Sequence, residues 1–138
     1  MKYFIFLALC LSSCNSCKAP LVDYGLSFTI KNKKTDTITW FVPSVDEQLS
    51  SVGLPKERPK IVSRIIPPNA VHGEWLQAHE GKNFFDELPT DTLYFFVLKY
   101  NDYSTKPWDT IVANDLFLER VKVTEDSLKS LNYLIVID

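Results

Sequence analysis

Asp91-Thr92-Leu93-Tyr94-Phe95-Phe96-Val97-Leu98-Lys99-Tyr100 decides how the chain folds. In an extended backbone Leu93, Phe95 and Val97 face one way, and Tyr94, Phe96, Leu98 and Tyr100 the other. Apolar residues on both faces predict a central strand covered on both sides. Upstream, Gly25–Lys31 alternates, with Leu26, Phe28 and Ile30 on one face. Asn32–Asp36 reads as a turn and Thr37–Val42 as the returning strand, so the two form an expected β-hairpin. Pro43 ends it, because proline brings no backbone donor.

Residues 43–60 lack periodicity and carry Pro43, Gly53, Pro55 and Pro59, the pattern of a long surface loop. Lys60–Ile66 and Val71–Leu76 predict strands, and Phe84–Leu88 a single helical turn. Within 105–114, Trp108, Ile111 and Val112 fall on one side of a short helix, with Pro107 in its first turn and Asn114 at its end. Leu116–Val123 is strand-like, with Arg120 and Lys122 toward water. Thr124 can cap a second short helix that turns Leu128 and Leu131 inward, and Tyr133–Ile137 closes the chain as a buried strand. The fold class is mainly β: a compact antiparallel sandwich-like domain with two short helices in the C-terminal half.

The N-terminal residues speak of location. Lys2 precedes the apolar run Tyr3–Leu11, which is too short to span a bilayer as a stable helix. Leu11-Ser12-Ser13-Cys14 follows, and this stretch resembles the lipobox of bacterial lipoproteins. The resemblance implies cleavage before Cys14 and a diacylglyceryl group on its thiol. Bulky Leu9 makes Cys10 the poorer match. The expected organisation is a signal peptide over residues 1–13, a lipid-anchored tether over 14–24, and one globular domain over 25–138. Among surface-exported lipoproteins of Bacteroidota an acidic cluster follows the lipidated cysteine. Here the first acidic residue is Asp23, which implies a periplasm-facing domain.

Composition excludes several classes. A formal charge of −2 gives no electrostatic footprint for nucleic acid. No polybasic run adds a second membrane signal. Apart from Cys10 and Cys14 the only cysteine is Cys17, on the tether, so the domain forms no internal disulfide and depends on packing. Aromatics and other apolar residues make up 46% of the chain, enough for a substantial core.

Pro-Trp-Asp-Thr-Ile at 107–111 and Val-Thr-Glu-Asp-Ser-Leu-Lys-Ser-Leu-Asn at 123–132, with the Trp/Phe-rich segment after the lipobox, resemble small uncharacterised lipoproteins of gut Bacteroidota. The resemblance implies a shared fold and brings no activity with it.

Chemistry-bearing patterns are sparse. His72, Glu74, His79 and Glu80 offer the residue types of a zinc or acid–base site, with His72 and Glu74 on one strand face and His79 returning across a turn. Their spacing fits no helical zinc motif, and a polar, glycine-flanked stretch is ordinary surface. The acidic pairs Asp46/Glu47, Asp86/Glu87 and Glu125/Asp126 read as solvated surface or helix-dipole complements. The chain has neither a Gly-x-Ser-x-Gly elbow nor a glycine-rich phosphate loop. Aromatics are the better binding candidates. Trp40 and Trp108 fall on core patterns, whereas Trp75, Tyr100 and Tyr103 are expected at the surface, the two tyrosines flanking an exposed Asn101-Asp102 turn. The expectation is therefore a non-catalytic envelope accessory or binding module without cofactor, whose partner is an envelope protein or glycan. The alternatives are a small metal-dependent hydrolase built on His72, Glu74 and His79, and an inhibitory or immunity-type protein binder.

Overall fold

The structure, a computed structural model, describes residues 25–43, 54–61, 64–79, 81–88 and 90–138. The expected signal peptide and tether, with Cys10, Cys14 and Cys17, lie outside these residues, as do Glu80 and most of the 43–60 loop. The domain is mainly β, with two sheets facing each other across one core. One sheet has the order β4-β1-β7: β1 is Gly25–Asn32, β4 is Val71–Gln77 and β7 is Leu134–Ile137. The other has the order β3-β2-β5-β6, made of Ile65–Ile66, Ile38–Phe41, Thr92–Lys99 and Phe117–Thr124. Helices α1 (Tyr100–Thr105) and α2 (Trp108–Ala113) follow β5, and α3 (Glu125–Ser130) joins β6 to β7.

β5 is central, as its two apolar faces require. Leu93, Phe95 and Val97 enter the core between the sheets. There Trp40 and Phe95 meet Phe28 of the opposite sheet with ring centroids 5.7 and 6.2 Å away. Phe96 and Leu98 point outward into a second cluster with Phe41, Trp108 and Ile111. Phe41 and Phe96 stack at 5.3 Å, and Trp108 meets Phe41 edge-on at 5.7 Å. The helices therefore cover the outer face of the four-stranded sheet.

The hairpin is the main correction. β1 and β2 do not pair; each belongs to a different sheet, and the 33–37 link crosses between them. Asn32, fully buried at the end of β1, makes the crossing. Its Nδ2 donates to the carbonyls of Asp36 at 2.9 Å, Ile66 at 2.9 Å and Pro67 at 3.1 Å, and its Oδ1 accepts from Lys34 N–H at 2.9 Å. One amide thus satisfies main-chain groups of the 33–37 link and of the end of β3 together.

Five further expectations are corrected. Pairing is not wholly antiparallel, because β7 runs parallel to β1. Among the described residues the α-helices number three, since the Asn101-Asp102 turn is part of α1. The 60–66 segment narrows to the two-residue β3, with residues 62–63 outside those described. β7 is an edge strand with only Ile135 and Ile137 buried, and Leu131 is 49% exposed at the end of α3 rather than inward. In contrast Thr124 caps α3 as expected, with Ser127 completing a capping box.

Candidate functional site

The two sheets differ in what covers their outer faces. Helices shield the four-stranded sheet. Among the described residues no helix lies across the outer side of the three-stranded one. By strand alternation that side carries Ser27, Thr29 and Lys31 of β1, Val71, Gly73 and Trp75 of β4, and Leu134 of β7. Val71 is 59% exposed and Trp75 44%. Trp75 lies down across the sheet: a Cβ on Gly25 would stand 2.4 Å from its Cζ2 and 2.7 Å from its Cη2. Only glycine at 25 leaves room for the ring there.

Beside this face runs an open groove of about 650 Å³. Residues 25–27 of β1 form one wall, residues 82–85 the other, and Glu125 and Tyr133 stand at its margin. Its origin is a backbone device. Asn132 and Tyr133 both adopt left-handed φ, 50° and 57°, an unfavourable region for a bulky tyrosine. They turn the chain sharply into β7, so its pairing with β1 begins only at Thr29 and Leu134. The edge of β1 before Thr29 is left without a neighbour from β7.

Around the groove the charges are partly spoken for. Glu125 pairs with Lys129 at 2.7 Å. Hydrogen bonds from Lys129 and then Asn83 hold its carboxyl below the usual glutamate range. Glu87, on the Phe85–Glu87 helical turn, accepts from His79 N–H at 2.9 Å and contacts His79 Nδ1 at 2.8 Å. Burial pushes the Glu87 carboxyl up, but the His79 bonds and the charges of His79 and Lys82 outweigh it, so its pKa is lowered. Lys82 makes no ion pair within 4 Å among the described residues.

The residues of the metal alternative are divided. His72 Nε2 lies 3.5 Å from Glu74 Oε2, which also accepts from Arg64 Nε at 3.1 Å. Arg64 in turn stacks over Trp40, its Cζ 4.5 Å from the ring centroid. The cluster ties β4 to the residue preceding β3 and so links an edge strand of one sheet to an edge strand of the other. His79 belongs to Glu87 instead, and among the described residues no three metal-binding side chains gather. The triad His72, Glu74 and His79 therefore does not assemble.

The aromatic candidates separate too. Tyr103 is half-buried against the second cluster rather than displayed on a turn: its hydroxyl donates to Pro59 O at 2.5 Å and Arg58 lies over its ring at 5.2 Å. Tyr100 is half-buried at the end of β5, its N–H bonded to Thr37 O at 2.9 Å. Trp75 alone of the three stands on the uncovered face. Sequence reasoning missed the groove, because Gly25, Ser27, Lys82 and Tyr133 come from separate segments. The one local hint is Gly25 opening a strand, a place where another group approaches the backbone closely.

No helix among the described residues is long and apolar enough to cross a membrane. No protein-family model matches the chain, and no curated protein or solved structure matches it.

Proposed function

We propose that this protein is a non-catalytic binding module of the bacterial cell envelope, lipid-anchored through Cys14 and facing the periplasm, with its ligand-facing surface on the uncovered side of the three-stranded sheet. The observation that carries the reading is the asymmetry of the two sheets. One outer face is shielded by α1 and α2, while the other, among the described residues, has no helix across it and presents Trp75 and Val71 beside a groove. Apolar side chains grouped on an uncovered face, next to a concavity holding a few polar groups, are the usual makings of a binding surface. The anchor rests on the lipobox-like Leu11–Cys14. It leaves the partner, an envelope protein or glycan, to meet a tethered domain.

Two experiments test this. A fatty-acid analogue fed to the native cells should label the wild type and Cys10→Ser but not Cys14→Ser; the reverse pattern would transfer the anchor to Cys10. A photo-reactive phenylalanine derivative at Trp75 should cross-link in intact cells to an envelope component. The same group at Asp109, exposed on α2 over the other sheet, should give none. Equal adducts from both positions, or none from either, would remove the binding reading.

A further inference from the structure

We propose that the groove beside β1 takes an extended peptide segment of a partner protein, which adds to the three-stranded sheet as a short strand along residues 25–28. The proposal rests on the binding reading above and names the class of ligand. Its basis is the direction of the β1 main chain. Thr29 N–H donates to Tyr133 O at 2.8 Å and Lys33 N–H to Ile137 O at 2.8 Å, both toward β7. Asn32 N–H donates to Ala70 O at 3.0 Å, toward β4. Successive residues in a strand alternate in this way, and Gly25 and Ser27 share the phase of Thr29. Their N–H and C=O groups therefore point away from β4, into the groove, where β7 has not yet begun.

An open strand edge is a template for another main chain. A glycan would stack on the Trp75 ring, which lies on the outer face; the groove's groups without a partner among the described residues belong to the main chain. The concavity, about 650 Å³, falls within the roughly 300–1,000 Å³ typical of ligand sites. Leu26, Phe84 and Phe85 supply apolar wall for alternate side chains of the incoming strand. Charge selects further. Glu125 is already held by Lys129, whereas Lys82 has no carboxylate within 4 Å among the described residues, so an acidic residue in the peptide meets Lys82.

The test separates main chain from side chain. A phage-displayed random dodecapeptide library is panned on the mature chain, and the selected peptides are synthesised and measured by fluorescence anisotropy. Selected peptides should be rich in β-branched residues and carry an acidic one. Ser27→Ala should keep affinity within about twofold. Ser27→Pro removes only an N–H that β4 does not use, a place where a strand tolerates proline, and should weaken binding about tenfold or more. Should Ser27→Pro fail to fold, N-methylation of the peptide decides on unaltered protein: methyl groups at alternate residues should each cost about tenfold and those between almost nothing. Failure to select any peptide, equal losses for Ser27→Ala and Ser27→Pro, or a methylation pattern without alternation would overturn strand addition. Each of those results leaves the Trp75 cross-link, on which the binding reading depends, to be judged separately.

Discussion

Asn32→Ala is expected to lower stability by about 3–4 kcal/mol, a fall of roughly 10–15 °C in Tm. Four hydrogen bonds end on this one fully buried amide, three of them to the carbonyls of Asp36, Ile66 and Pro67. Removing it strands the buried Ile66 carbonyl, takes the donor from the part-buried Asp36 and Pro67 carbonyls, and leaves a void at the crossing between the sheets. Asn32→Asp keeps the shape but sets a carboxylate oxygen against the same three carbonyls. Burial and that repulsion raise its folded pKa above the unfolded value. The unfolded chain then ionises first, and the deficit should grow as pH rises from about 4 to 7. Urea melts of both variants at those two pH values provide the check. A cost below about 1 kcal/mol for Asn32→Ala would mean the crossing is held by packing alone.

Trp108→Ala should cost about 3–5 kcal/mol through lost area and a cavity. The indole is 7% exposed, packs edge-on against Phe41 and Phe117, and donates from Nε1 to Pro55 O at 2.9 Å. That last bond gives the variant a second signature. The described residues 54–60 are held to the helices by Trp108 on Pro55, by Tyr103 on Pro59 and by Arg58 on the Lys106 carbonyl. Tryptic cleavage after Lys56 and Lys60 should therefore accelerate in Trp108→Ala well before the domain melts. Trp108→Phe keeps ring contacts but loses the bond, and should fall between wild type and Trp108→Ala in both measurements. Unchanged cleavage in Trp108→Ala would show that the segment is held by its other contacts.

How much of this was legible in the sequence follows from what alternation can encode. β5 was readable because a strand covered on both faces needs apolar residues in both phases, and residues 92–98 have them. The α2 helix and the Thr124 cap were readable because their signals are local. The β1–β2 relation was not. A hairpin and a crossing between sheets both place Leu26, Phe28, Ile30, Ile38 and Trp40 toward one interior, so the period of two fits either. Asn32 holds the discriminating signal: it falls in phase with Leu26, Phe28 and Ile30, where a polar residue needs buried partners. Those partners are carbonyls at residues 36, 66 and 67, and a main-chain acceptor has no residue type to advertise it. The groove was hidden for the same reason, since what matters at Gly25 and Ser27 is the direction of the backbone. Trp75 was visible as an aromatic in a polar stretch, but its 44% exposure depends on whether another element lies over that side, and no helix among the described residues does. Tyr103 was misread because the loop it anchors carries no periodicity.

The parallel pairing of β1 with β7 bears on the order in which the domain can be made. Thr29 finds its partner Leu134 more than one hundred residues further on. Sequence-distant contacts are slow to form, because a long chain must close before any of them contributes. β4 can join β1 earlier, but that pair alone is a two-stranded ribbon with one flank of β1 open from Gly25 to Asn32. The three-stranded sheet waits for residues 134–137. On synthesis from the N-terminal side, β1 is made well before its partner β7 and is completed only when β7 follows. Until then its flank can pair with any passing strand, and chaperone cover in that interval bears directly on yield.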